Sequence, residues 1–150
     1  MKQLDTTDPK EVANVCAYHN LRKTARVVTQ MYDDLLRPTG LRATQFPLLV
    51  ALQARGPLTV NELAEAVVSD PTTMTRNLRP LQKRGLVRID PGEDRRVRVV
   101  SLTRTGKTTV NKALPHWQQA QRRMVKGLRP ERLMRLLSDL SVAIETARPA

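Results

Sequence analysis

The strongest constraint in this sequence is a closely spaced series of helix-boundary signals in the middle of the chain. Thr59 and Glu62 have the spacing of a capping box, which predicts a helix that begins at Thr59. Asp70 offers an N-cap for a second helix, Pro71 suits its first turn, and Gly85 suits a left-handed C-cap at its end. Two short helices joined by a tight turn make a helix-turn-helix candidate.

The segment that follows this pair of helices is β-prone. Residues 86–89 and 97–102 are rich in β-branched and aliphatic side chains, and the turn residues and charges of 90–96 separate them. The pattern predicts a hairpin with a charged tip, which is the wing of a winged helix.

Longer helices are predicted on both sides of this lobe. Apolar residues recur at steps of three and four along residues 9–37, which predicts one long first helix that stops at Pro38. The other predicted helices run over residues 44–55 with Thr44 as N-cap, from the N-cap Thr103 to about residue 126, and over the segment after residue 130.

The apolar faces of the end helices exceed what one small winged helix could cover. The last helix carries its aliphatic residues on one face: Leu133, Leu136, Leu137, Leu140 and Ile144. Such stripes would leave large exposed apolar patches on a single chain. A two-fold homodimer is therefore expected, with folding of the helices back on their own lobe as the alternative.

The fold class predicted is mainly α with a small β-hairpin wing: a winged helix-turn-helix plus long N- and C-terminal dimerisation helices. The expected division is an N-terminal dimerisation helix over residues 1–37, a DNA-binding lobe over 38–103 and C-terminal dimerisation helices over 104–150.

Composition points to duplex DNA as the partner. Lys and Arg number 26 against 14 Asp and Glu, a net charge of +12, while aromatic residues make up only 3% and single-strand binders need several rings. The lone Cys16 rules out an internal disulfide, and the two histidines give no zinc-like cluster, so no metal or cofactor is expected. Polar residues 1–10 and the lack of a long apolar run predict a cytoplasmic protein without a membrane partner.

The helix after Asp70 has the faces of a DNA reader. At 100° per residue Met74, Leu78 and Leu81 fall together on an inner stripe. The opposite face carries polar and cationic residues, flanked by Thr73: Thr72, Arg76, Arg79 and Lys83. Arg donates bidentate pairs to guanine and Thr suits other base edges, although such a face can also be merely solvated.

The predicted wing is crowded with arginines. Arg95, Arg96 and Arg98 occupy one short hairpin, whose tip is narrow enough to place an Arg in the minor groove. Asp94 is expected to fix the rotamer of a neighbouring Arg through charge-assisted hydrogen bonds, or else to be an ordinary turn aspartate.

Two other classes of function compete with a sequence-specific regulator. An enzyme is disfavoured because Asp33 and Asp34 point about 100° apart on a helix, and neither an activated nucleophile nor a Gly-rich phosphate loop is present. A basic architectural DNA-binding protein would use charge alone and would bind all duplexes about equally.

These elements together resemble the MarR family of bacterial winged-helix regulators. The resemblance rests on the long first helix, the end of the helix-turn-helix at residues 81–87 (LQKRGLV), the wing motif at Asp94-Arg95-Arg96, and residues 102–106 (LTRTG), and it covers essentially the whole chain.

The resemblance implies a homodimer whose first, fifth and sixth helices interlock and whose two lobes bind a pseudo-palindromic operator. It also implies repression that a small effector relieves, and we expect an aromatic or phenolic compound in this role. Asp94 and Arg96 match the wing pair of the family. The recognition helix carries Thr72, Thr73, Arg76 and Asn77, and base-by-base assignments do not carry over.

The signal that such a regulator would sense is less defined. Cys16 resembles in position the reactive cysteine of the organic-hydroperoxide sensors of the family, but the expected Tyr partner four residues later is Asn20 here. An inert cysteine on an apolar stripe is the favoured alternative. A crevice between the first helix and the DNA lobe could instead hold an aromatic acid or phenol, with His19, Arg22 or Tyr32 as polar contacts.

Overall fold

A computed structural model describes residue 4 and residues 6–148, so the ends of the predicted terminal segments, at residues 1–3, 5 and 149–150, lie outside it. The described part contains these elements in chain order: α1 Pro9–Val15, α2 Ala17–Leu36, α3 Phe46–Arg55, β1 Leu58–Thr59, α4 Val60–Ala66, α5 Pro71–Lys83, β2 Val87–Pro91, β3 Arg98–Leu102, α6 Arg104–Leu128 and α7 Pro130–Ala147. The predicted fold class, mainly α with a β-hairpin wing, is confirmed.

The helix-turn-helix forms where the boundary signals predicted it. The Thr59 hydroxyl accepts the Glu62 N–H while the Glu62 carboxylate accepts the Thr59 N–H, which completes the capping box of α4. The Asp70 carboxylate accepts the Thr73 N–H at 2.8 Å and starts α5. Gly85 ends that helix with φ of +66°, the left-handed conformation that favours glycine.

The wing belongs to a three-stranded antiparallel sheet with strand order β1-β3-β2. Its hairpin begins where Val87 pairs with Leu102 and ends where Pro91 pairs with Arg98, so both strands are shifted slightly from the predicted spans 86–89 and 97–102. The third strand, β1, was not predicted, because only Leu58 and Thr59 form it, by pairing with Val100 and Val99. Two residues are too few to show a period in sequence.

One core holds the lobe together. It lies where α3, α4, α5 and the sheet meet the end of α2, and its members are almost fully buried: Leu36, Leu41, Phe46, Leu48, Leu49, Leu52, Leu58, Leu63, Ala64, Met74, Leu78, Leu81, Leu86, Val87, Val100, Val110 and Ala113. The predicted inner stripe of α5 is thereby confirmed. The core fixes α5 to the wing and leaves the outer face of α5 in solvent.

The prediction of a single first helix over residues 9–37 is wrong. Cys16 leaves the helical conformation with ψ of 112°, and this residue separates α1 from α2. The Asn20 side-chain amide donates to the carbonyl oxygens of Ala13, Asn14 and Cys16 at 2.9–3.2 Å, so it satisfies the Ala13 and Asn14 carbonyls, which the break leaves without helical partners.

The start of α3 also differs from the prediction. Thr44 is not its N-cap, because the helix begins at Phe46 after a turn in which the Gln45 side chain accepts the Arg42 N–H at 3.1 Å. The predicted cap of α6 is confirmed, since the Thr103 hydroxyl accepts the Gly106 N–H at 2.9 Å and donates to the Gly85 carbonyl at 2.6 Å. Thr103 thus joins the start of α6 to the end of α5.

None of the helices in the described part of the chain combines the length and the apolar character needed to cross a bilayer.

Candidate nucleic-acid interface

Helix α5 presents a firmly seated outer face. Met74, Leu78 and Leu81 are each 0% exposed, which fixes the rotation of the helix about its axis. Hydrogen bonds from the Thr73 side chain and backbone hold the pKa of the capping Asp70 carboxyl below its ordinary value, so this cap is ionised at neutral pH.

The predicted reading residues lie on that outer face, beside an open depression. Thr72, Arg76 and Arg79 line a concave surface of about 450 Å³, together with Pro71 and Thr75. Both arginines are exposed and form no ion pair within the described residues, so their guanidinium groups are available to a ligand. Short polar groups near the start of a helix and guanidinium groups further along suit base edges and phosphates.

Two of the predicted contacts lie to the side of this surface. Thr73 is half-buried and its N–H is bound by Asp70, so its main role in the structure is in the cap. Asn77 is exposed and lies about 100° around the helix from Arg76.

The wing and α5 form one groove. A depression of about 390 Å³ is lined by Asn61 of α4, Thr75 of α5, and Arg96 and Arg98 of the wing, among others. Arg98 also lines a second depression with Arg79 and Gln82, so it lies between α5 and the hairpin. Sequence reasoning placed Arg98 in the wing but assigned contacts to neither Arg98 nor Asn61, because only the tertiary fold brings them to α5.

Asp94 has a different role from the expected arginine clamp. Its carboxylate accepts the Arg96 backbone N–H at 2.9 Å, and its carbonyl accepts the Val97 N–H at 2.9 Å. No ion pair joins Asp94 to Arg95 or Arg96 in the described part of the chain. The aspartate therefore orders the backbone of the wing tip, as aspartates in turns do, and leaves both guanidinium groups exposed.

The lobe is tied to the long helices behind it at Gly40. The Arg84 guanidinium, just after α5, donates to the Gly40 carbonyl at 2.7 Å. Gly40 has φ of +70°, a conformation that favours glycine, and a Cβ there would lie 2.9 Å from the Arg84 Nη2, so a larger residue would also have to displace this guanidinium. Close by, the Asp33 carboxylate accepts the Ala43 N–H at 2.6 Å.

The predicted effector residues are not brought together. The Tyr32 hydroxyl donates to the Gln121 side chain at 2.9 Å, and partial burial raises the pKa of that phenol. Gln121 lines an open apolar groove of about 610 Å³ on α6 with Trp117 and Val125, among others. His19 and Arg22 are exposed and are not among the residues that line this groove.

The redox candidate Cys16 is half-buried at the break between α1 and α2, where it occupies the N-cap position of α2. Asn20 stands where the tyrosine was expected, and its side-chain amide donates hydrogen bonds to carbonyl groups at the same break. Within the described residues, His, Cys, Asp and Glu form no group of three that could hold a metal ion.

Comparison with known proteins identifies relatives. Residues 39–97 match the family model described as the MarR family. The M. tuberculosis transcriptional regulator MosR, crystallised in complex with DNA, is 36% identical, and the match covers 89% of this chain and 99% of that chain with a TM-score of 0.79.

Two further relatives match over shorter stretches. The transcriptional regulator YwoH of Bacillus subtilis is 31% identical over 86 residues, which are 57% of this chain and 63% of that protein. The transcriptional repressor NicR of Pseudomonas putida is 32% identical over 99 residues, which are 65% of this chain and 62% of that protein. The chain thus spans somewhat less than two thirds of the length of these two relatives.

Proposed function

Because the chain belongs to the MarR family of transcription regulators, we propose that it is a homodimeric, sequence-specific DNA-binding regulator. The observation that carries the proposal is a surface of three adjoining depressions, all bordered by Thr75 of α5, on which the outer face of α5 lies next to the arginines of the wing. In this proposal α5 reads base edges in the major groove through Thr72, Arg76 and Arg79, while Arg95 and Arg96 enter the minor groove.

Neighbouring groups prepare the surface for binding. Asp94 orders the wing tip before contact, so less conformational entropy is lost when Arg96 binds. Arg98 neutralises a phosphate between wing and helix, at the position where it borders both. Thr73 and Asn77 lie at the margin of the reading face and contribute secondary contacts.

A homodimer follows from the exposed apolar side chains of the long helices. On α2, Tyr18 is 69% and Leu21 45% exposed, and on α7, Leu137 is 46% and Ile144 42% exposed. Contiguous apolar faces of this kind are covered by a partner in stable proteins. Residues 1–37 and 104–150 would form the shared dimerisation part, and residues 38–103 would form a lobe on each half of a pseudo-palindromic operator.

Repression released by a small aromatic or phenolic effector is the regulatory mode we propose. The relative NicR is named a repressor, and the groove beside Trp117 offers an apolar surface with the amide of Gln121 and the phenol of Tyr32 next to it. His19 and Arg22 would reach such a ligand only from a rearranged or partner α2. Oxidant sensing through Cys16 is the alternative mode, and an inert, half-buried thiol at the break between α1 and α2 is the interpretation we favour.

Selection of bound duplexes from a random library at near-physiological salt tests this function. The expected product is an inverted repeat whose half-site centres lie about one helical turn apart. Strong retention without an enriched sequence would contradict sequence-specific regulation and favour the architectural alternative.

Variants on the selected duplex then separate base reading from phosphate binding. Arg76→Ala should reduce affinity by about 1–3 kcal/mol on the selected site and relax preference at particular base pairs. Arg96→Ala should weaken binding and lower the salt slope by about one phosphate equivalent. Lys112→Ala, an exposed cation on α6, is the matched charge control. Equal losses on selected and random duplexes for Arg76→Ala would make it a backbone contact.

A further inference from the structure

A second cationic surface surrounds the corner between α6 and α7, and the proposed operator contacts do not use it. We call it the corner patch, and it consists of Arg122, Arg123, Lys126, Arg129, Arg132 and Arg135. Residues 122–135 contain these six cations and one carboxylate, that of Glu131. The segment therefore carries a net charge of +5, out of +12 for the whole chain. All six are exposed, and none forms an ion pair or side-chain hydrogen bond with the described residues.

The corner patch lies far from the winged lobe. Helix α6 begins against the lobe, where a Cβ on Gly106 would lie 2.1 Å from the Leu86 carbonyl oxygen. The last ring contact with the lobe is Trp117 on Phe46, with centroids 6.4 Å apart. Leu128, the end of α6, is about 36 Å from its start at 1.5 Å per residue. The hairpin tip is at the opposite end of the wing from the start of α6.

The cations differ in how far they lie from the apolar faces. On a helical wheel, Arg122 and Lys126 lie about 170° and 130° from the midpoint of Ala113 and Ala120, which this chain itself buries, and both border the apolar groove beside Trp117. On α7, Arg132 and Arg135 lie about 100° and 155° from the centre of the apolar stripe. A partner chain that covers the α7 stripe therefore leaves Arg135 in solvent and Arg132 at the margin, and a dimer carries two such patches.

The chemistry of the corner patch favours the phosphates of a duplex. Five of its six cations are arginines, whose planar guanidinium groups bind phosphate oxygens in pairs. The side chains lie on about 9 Å of α6 and about 8 Å of α7, which meet at Arg129, so guanidinium groups from two helix ends surround one corner. Residues 122–135 include no aromatic side chain, which single-strand binding and protein-interface cores both favour.

We propose that the corner patch binds the phosphate backbone of a second DNA duplex, without base preference, while the winged lobes hold the operator. This inference rests on the DNA-binding function proposed above. It would make the dimer a bridge between two DNA segments.

A bridging assay tests the proposal with the full chain. Protein is loaded on an immobilised duplex that carries the selected site, and capture of a fluorescent random-sequence duplex is measured at several salt concentrations. We expect Arg129→Gln, Arg132→Gln and Arg135→Gln together to reduce capture at least tenfold, with loading on the immobilised duplex changed less than about threefold, because counterion release from three phosphates is lost. The triple Lys variant at the same positions should retain capture.

Other outcomes would overturn either the second site or the DNA-binding function on which it rests. Capture by the triple Gln variant at the wild-type level would overturn the corner patch as the second site. Loading of wild-type protein without capture would overturn it as well, whereas failure to load on any duplex would contradict the DNA-binding function itself. If poly-glutamate is captured by wild type alone and the second duplex is not, the partner is an acidic protein and the DNA proposal fails. Circular dichroism and gel filtration verify that the variants remain folded and dimeric.

Discussion

The winged lobe and the long helices differ in how completely one chain buries them. In the lobe Leu49, Leu63, Leu78 and Val100 are each 0% exposed. On α7, Met134 is 67%, Leu137 46% and Val142 58% exposed, and Leu133 alone is buried. The same aliphatic residue types are thus core in one region and surface in the other.

A single chain therefore buries the apolar side chains of the lobe by itself, but not those of the long helices. The lobe closes its core with a sheet and three short helices, to which the end of α2 adds Leu36 and α6 adds Val110 and Ala113, all from the same chain. Helices α2 and α7 leave large apolar side chains exposed, so their stability is expected to depend on association and therefore on concentration.

The largest effect is expected from a core truncation in the lobe. Leu78→Ala removes a side chain that is 0% exposed, so it should lower the free energy of unfolding by about 2–5 kcal/mol at every protein concentration. Urea unfolding measures this. Leu137→Ala is the matched truncation on α7, and its loss should appear mainly as a stronger dependence of the midpoint on concentration. Equal, concentration-independent losses would remove the distinction between the regions.

A charge on the exposed stripe should separate the two chains. Leu137→Asp is expected to reduce affinity for the selected operator by about 10²–10⁴-fold, because the two lobes no longer bind as one unit. Fluorescence anisotropy on the selected duplex measures the change. Ser138→Asp places the same charge one residue further along α7, about 145° from the centre of the stripe that contains Leu137, and should have a smaller effect. If both variants bind like wild type, the stripe is not the dimer interface.

Substitution of two glycines in α6 compares the end of the helix that packs on the lobe with the end that lies away from it. Gly106→Ala places a Cβ 2.1 Å from the Leu86 carbonyl oxygen and 2.7 Å from the Leu102 Cδ1, so it should destabilise the protein by about 1–3 kcal/mol or more. Gly127→Ala meets nothing within 4 Å and should instead stabilise the helix by about 0.5–1 kcal/mol. Thermal unfolding shows whether each variant is more or less stable than wild type. A change in the same direction for both variants would contradict the close packing of α6 on the lobe.

The smallest effect concerns pH and the cap of the recognition helix. The pKa of Asp70 is lowered in the folded state, so its contribution is present above its ordinary value of 3.8 and is lost as the pH falls through the folded-state value. Asp70→Asn keeps a capping oxygen without the titration, so the stability of this variant should fall less than that of wild type between about pH 5 and pH 2. If the free energies of unfolding of wild type and Asp70→Asn, measured in urea, changed in parallel with pH, the Asp70 carboxylate would be excluded as the source of the pH dependence.

Signals that act within a few residues were predicted from the sequence, whereas those that depend on tertiary contacts were not. Thr59, Asp70, Gly85 and Thr103 each act on a backbone group close in sequence, which explains why the helix-turn-helix and the start of α6 were predicted correctly. The break at Cys16 was missed, because a periodic apolar pattern continues across it and only the amide of Asn20 compensates the lost helical bonds.

The candidate site shows the same limit. The outer face of α5 follows from helical periodicity, so Thr72, Arg76 and Arg79 were found. Arg98 and Asn61 border the groove only because the hairpin packs against α4 and α5. For Asp94 the charge pattern suggested a side-chain partner, and the tight turn supplied a backbone N–H instead. The contacts of the predicted residues with DNA remain predictions.

The most direct test of the dimeric account is the mass of the protein in solution, measured by light scattering during gel filtration, alone and with the selected duplex. We expect twice the 16.9 kDa of one chain at micromolar concentration, and two chains for each duplex in the complex. A 16.9 kDa species that binds the full site as one chain would contradict the claim that the long helices require a partner.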